Sequence, residues 1–165
     1  MIYSYKGSRI VASTRKEAIS KIIANNEFIT VKGDIIKSNY KKYIGKKVNV
    51  IGNVFFNNLN LKEIPIVFGT IDGNFSCSDN RLVSLKNCPS KVTRGFYCYE
   101  NKLASLEGCP SYVGENFHCY KNNLISLKGC PSYVGGTFYC FLNKKKFTKE
   151  EVIKLCKVKK ANILV

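Results

Sequence analysis

Eight cysteines and one histidine, His118, are the residues of this sequence best suited to nucleophilic, redox or metal chemistry. Two thiols at Cys-x-x-Cys spacing would hold zinc, and a thiol beside an imidazole would be a nucleophile with its base. Neither pattern occurs. From Cys77 to Cys140 the cysteines fall ten or eleven residues apart, and the last is Cys156. His118 stands between Phe117 and Cys119. In an extended segment consecutive side chains point to opposite faces, so the Cys119 thiol turns away from the imidazole. There are no paired carboxylates and no glycine-rich phosphate loop. The sequence therefore offers no catalytic residue, no metal set and no cofactor site, and it reads as a non-enzymatic protein. Unpaired thiols at core positions behave as small apolar side chains and imply a reducing compartment, the cytoplasm.

The elements that carry these cysteines repeat. Phe75, Phe96, Phe117 and Phe138 are spaced 21 residues apart, as are Cys77, Cys98, Cys119 and Cys140, and Asn80, Asn101, Asn122 and Asn143. Leu82, Leu103 and Leu124 form a further column. So do Leu85, Leu106 and Leu127, then Cys88-Pro89, Cys109-Pro110 and Cys130-Pro131, then Val92, Val113 and Val134. A worn copy from Gly52 keeps the phase but has Leu59 in the asparagine slot. VNVIG at 48–52 predicts one strand more. A period of this length, about 20–50 residues, marks a solenoid in which each turn buries its apolar face on its neighbours. Phe-x-Cys is a short strand with those two residues inward. The asparagine is expected to turn its amide inward and satisfy backbone groups where the strand ends.

These columns resemble the leucine-rich repeat. The pattern L-x-L-x-x-N-x-L is matched by Phe75-x-Cys77-x-x-Asn80-x-Leu82 and by the two copies that follow. The proline after Leu85-x-x is similar to that of the bacterial short-repeat class. One departure is plain: the leading leucine would fall at Asp72, Thr93, Gly114 and Gly135, whereas the apolar residue comes one earlier, at Ile71, Val92, Val113 and Val134. The resemblance implies a leucine-rich-repeat solenoid of 21-residue repeats with a parallel β-sheet on its concave face. The expected organisation is a mixed α/β N-terminal cap over 1–49, repeats over 50–146 (three clear, one worn, one partial), and a helical C-terminal cap over 147–165. Thr14-x-x-Glu17 predicts a capping box opening a helix over about 15–25 with Ala18, Ile19, Ile22 and Ile23 inward. Thr148-x-x-Glu151 predicts a second, with Val152, Ile153, Leu155 and Cys156 inward. Lys145, in the next leucine slot, is expected to end the stack, and Ile163-Leu164-Val165 to form a last strand.

Charge separates the ends from the middle. The chain carries 27 Lys and Arg against 11 Asp and Glu, a formal +16. Residues 1–50 hold +8 and residues 136–165 hold +6, so the repeats between are close to neutral. No apolar run reaches the roughly 18–20 residues of a membrane span. Basic ends make nucleic acid one partner class.

The outward strand slots favour another. They read Ser76 and Ser78, Tyr97 and Tyr99, His118 and Tyr120, then Tyr139 and Phe141. Packing does not demand aromatic residues there, although cross-strand stacking by itself stabilises a sheet by about 0.2–1 kcal/mol per pair. Tyrosine-rich patches mark protein interfaces. With Arg94, Glu100, Lys102 and Lys121 as a mixed-charge rim, the slots predict a binding face for another protein. The layout of short F-x-C repeats followed by KKKFTKEEVIKLCKVK is similar to small leucine-rich-repeat proteins encoded by bacteriophages. That resemblance implies a stand-alone partner of a bacterial host protein, such as an inhibitor of a BREX-type defence ATPase or a CRISPR effector. Nucleic-acid binding through the basic ends and a symmetric homodimer through the tail strand are the competing readings.

Overall fold

Each 21-residue copy builds two short strands. The computed structural model describes residues 2–5, 8–11, 13–14, 16–17, 27–160 and 162–165. In one copy β8 (Lys91–Val92) carries the valine column and β9 (Phe96–Tyr97) the phenylalanine column; β10 (Tyr112–Val113) with β11 (Phe117–His118), and β12 (Tyr133–Val134) with β13 (Phe138–Tyr139), repeat the arrangement. Earlier turns supply β3 (Ile29–Lys32), β4 (Lys47–Ile51), β5 (Val54–Phe55), β6 (Val67–Asp72) and β7 (Phe75–Ser76). The last turn supplies β14 (Lys157–Val158) and β15 (Ile163–Leu164). Stacking gives a parallel β-solenoid with two sheets, β3-β4-β6-β8-β10-β12-β14 and β5-β7-β9-β11-β13-β15. A separate antiparallel hairpin, β1 (Ile2–Tyr5) and β2 (Ser8–Val11), precedes it.

The departure at the leading leucine explains the second sheet. With the apolar residue at Val92 rather than Thr93, three residues remain before Phe96, enough for a corner between two strands. The corner is tight in later turns. A side chain at Gly114 would land on the Thr93 carbonyl oxygen, and one at Gly135 on that of Gly114, so both positions need glycine for close backbone approach.

Register keeps every column in line. Phe75, Phe96, Phe117 and Phe138 are direct partners. Their rings stand 5.4, 5.7 and 4.9 Å apart. The leucine and valine columns and Cys77, Cys98, Cys119 and Cys140 complete the core. Asparagines close it, as expected. Asn101 Nδ2 donates to the carbonyls of Cys77, Cys98 and Tyr99, and its Oδ1 accepts from the Leu82 N–H. Asn122 does the same one turn on. Among the described residues no buried side-chain nitrogen or oxygen lacks a partner. Each of these asparagines follows a residue with positive φ: Asp79 at 58°, Glu100 at 52°, Lys121 at 50° and Leu142 at 53°.

Several expectations need correction. The stack does not end at Lys145, because the Phe138 N–H donates to the Asn162 carbonyl and the Cys140 N–H to that of Leu164. The final turn is instead lengthened to accommodate the helix α1 (Lys149–Leu155), whose Thr148–Glu151 capping box forms in both directions. Only Val152 and Cys156 of its expected apolar face are buried; Ile153 and Leu155 are exposed. A helix of two turns has room for little more on its inner side. Cys109 and Cys130 are half-buried rather than in the core. Residues 29–35, within the stretch read as an N-terminal cap, stack in register on the solenoid: Val31 pairs with Val50 and Ile35 bridges to Val54. The Thr14 hydroxyl accepts the Glu17 N–H at 3.1 Å, while the Glu17 carboxylate turns to Ser13. The rest of the helix expected over 15–25 lies outside the described residues.

Candidate functional site

The predicted face assembles on the six-stranded sheet. Backbone hydrogen bonds run past the ends of the two-residue strands, from the Cys98 N–H to His118 O, Glu100 N–H to Tyr120 O, Cys119 N–H to Tyr139 O and Lys121 N–H to Phe141 O. They hold the outward slots of successive turns in line, so side chains one turn apart come into ring contact.

Two rows of rings result. In one, Tyr97 and His118 stand 4.9 Å apart, and His118 and Tyr139 stack at 4.1 Å. In the other, Tyr99, Tyr120 and Phe141 stack at 4.7 Å and 4.7 Å with planes 5° apart in both pairs. His118 joins the rows, 6.4 Å from Tyr99 and 5.9 Å from Tyr120. All six side chains are half-buried. Ser76 and Ser78, expected as the first outward pair, are buried: their hydroxyls lie 3.0 Å apart, and Ser78 Oγ accepts from Asn57 Nδ2 at 2.6 Å. The aromatic surface therefore begins at Tyr97.

Gly95 makes room for that first ring, since a side chain there would meet the Tyr97 ring and hydroxyl. In neighbouring turns the slot holds Asn74 and Asn116, whose Oδ1 atoms accept from the Gly95 and Thr137 N–H groups. Burial, then the Glu115 carboxylate, raises the Tyr97 phenol above its ordinary pKa. Burial alone lowers His118 to about 4, so near neutrality the imidazole is uncharged.

The rim is charged, with one ion pair across it. Lys121 Nζ bridges to Glu100 Oε1 at 2.7 Å across one turn, which raises the lysine pKa. Arg94 is exposed at the corner before β9, and Lys102 is exposed beyond Asn101.

The thiols stand apart from this face. Burial pushes Cys98 and Cys119 well above the ordinary thiol range, Cys130 up to about 11 and Cys156 up to about 12. Such groups stay protonated near neutral pH and are poor nucleophiles. Among the described residues no three His, Cys, Asp or Glu side chains are grouped to hold a metal ion, and no helix is long and apolar enough to cross a membrane.

One pair escaped sequence reasoning. On the seven-stranded sheet Tyr112 and Tyr133 are register partners and stack at 5.0 Å with planes 8° apart. The 21-residue spacing of these tyrosines was the available signal, hidden because the valine column was not read as a strand of its own. No protein-family model, curated protein or solved structure matches this chain.

Proposed function

We propose that the chain is a non-enzymatic interaction protein whose partner docks on the six-ring surface of the six-stranded sheet. One observation carries this reading: two contiguous rows of half-exposed rings cross three successive turns at positions where folding needs none. Tyrosine offers a large contact area at small conformational cost, and such patches supply interface anchors. The neutral His118 and the Glu100–Lys121 pair suit a protein surface better than a phosphate backbone. The protonated thiols and the imidazole's ring neighbours support a role without chemistry of its own. The resemblance to small bacteriophage repeat proteins supports a narrower form: a phage product that occupies a surface or assembly interface of a bacterial anti-phage defence protein, such as a BREX-type ATPase.

The test is the double substitution Tyr99→Ala with Tyr120→Ala. A nuclease-treated pull-down from bacterial lysate first identifies the partner. The variant is then expected to bind it at least about tenfold more weakly while remaining folded. Unchanged affinity would move the interface off this face.

A further inference from the structure

The seven-stranded sheet carries a second feature that the interaction reading does not use. Register sets Lys91, Tyr112, Tyr133 and Lys157 side by side on consecutive strands. The Lys91 ammonium lies 5.1 Å over the Tyr112 ring, so a cation closes one end of the stacked pair. At the other end the next strand presents Lys157 where a third ring would stand. Among the described residues no ring covers the far face of Tyr133.

Beside this pair opens a cleft of about 480 Å³, lined by Tyr112, Tyr133, Glu115, Asn116, Lys159 and Lys160. That volume falls in the usual range of small-molecule sites, about 300–1,000 Å³. Its glycine corner is kept low by the same close approach that bars side chains at Gly114 and Gly135. Glu115 is the one carboxylate in its lining, against two lysines there and Lys157 on the adjoining strand. The site thus combines a partly exposed tyrosine, stacked on one face only by another ring, with excess positive charge. An acidic peptide would use the lysines and leave the ring bare, and a neutral sugar would do the reverse.

We propose that this cleft binds a phosphate-bearing aromatic base, a nucleotide either free or within a single strand, with the base on Tyr133 and the phosphate against Lys159 and Lys160. Ring stacking and lysine contacts are the two components of such recognition, and the second is salt-sensitive. The site is independent of the six-ring surface.

The experiment is fluorescence anisotropy of a labelled short oligothymidylate titrated with the full chain. Saturable binding is expected at about 50 mM salt, weakening about tenfold or more by about 200 mM. Lys159→Glu with Lys160→Glu should reduce affinity at least about tenfold and flatten the salt dependence. Tyr133→Ala should cost about fivefold or more, whereas Tyr133→Phe should bind within about twofold of the parent. Tyr99→Ala with Tyr120→Ala should bind as the parent does. Displacement by adenosine monophosphate would assign the site to free nucleotides, and resistance to it would assign it to a strand; both uphold the ring-and-phosphate chemistry. Absence of saturable binding at low salt would overturn the proposal. So would parent-like binding by the charge-reversed chain, whose altered lysines are exposed and leave the fold undisturbed, or equal binding by Tyr133→Ala and Tyr133→Phe.

Discussion

The same translation stacks rings inside and outside the solenoid. Inward, Phe75, Phe96 and Phe117 lie almost parallel, with planes 7° and 11° apart. Outward, Tyr99, Tyr120 and Phe141 stack at 5°. Parallel strands about 4.8 Å apart bring any repeated ring against its copy, so stacking is a property of the repeat and identifies neither face. The difference lies in what the ring gains. The inner phenylalanines are fully removed from water, a transfer of about 1.5–3 kcal/mol each. The outer rings are only partly removed from water, so burial gives each of them less than it gives the inner column. The inner column is thus fixed by folding, while the outer rows are the part of the turn that folding leaves free to serve a partner.

Substitutions can break this contrast. Phe117→Ala should be the most damaging, at about 3–5 kcal/mol, because the hole opens between two neighbouring turns. Asn122→Ala should follow at about 2 kcal/mol, since it leaves the Leu103 N–H without a partner in a dry interior and takes one of two amide donors from each of the Cys98 and Cys119 carbonyls, which keep Asn101 and Asn143. Tyr120→Ala should cost only about 1 kcal/mol, although it removes two stacks. Urea denaturation of the three variants checks the order. A Tyr120→Ala loss equal to that of Phe117→Ala would mean that the outer rows are part of the core.

A smaller effect sharpens the comparison from the outer side. His118 titrates at about 4 in the folded chain and at about 6.5 when unfolded. Between these values the unfolded state holds more protons, so His118 lowers stability as the pH falls from about 6.5 toward about 4, and its contribution is fully retained above that window. Urea midpoints of the parent and of His118→Phe should diverge through this range, with the parent losing stability faster. Parallel profiles would show that the imidazole is solvated and the rows loosely packed.

The fold was legible where physics acts once per turn. The Phe, Cys, Leu and Asn columns announced the period, and the asparagine's backbone role followed from the need to satisfy buried carbonyls at the strand end. The six outward aromatic slots followed from alternation. The second sheet was not legible, because a strand of two residues is too short to display a period of two, so Val92 and its copies read as the end of a set. Tyr112 and Tyr133 were overlooked for that reason. Ile153 and Leu155 were placed inward by helical periodicity, but α1 offers the core only Val152 before Cys156 ends it. The charge of Lys145 marks a terminator in the leucine column, yet backbone pairing carries the sheets past it.

The in-register columns make the three clear turns bond to one another in the same way. An in-frame duplication of one turn's coding segment would therefore lengthen the molecule by about 4.8 Å and add a pair of outward slots without disturbing the turns on either side. The footprint on a partner becomes a heritable length, adjustable in whole steps.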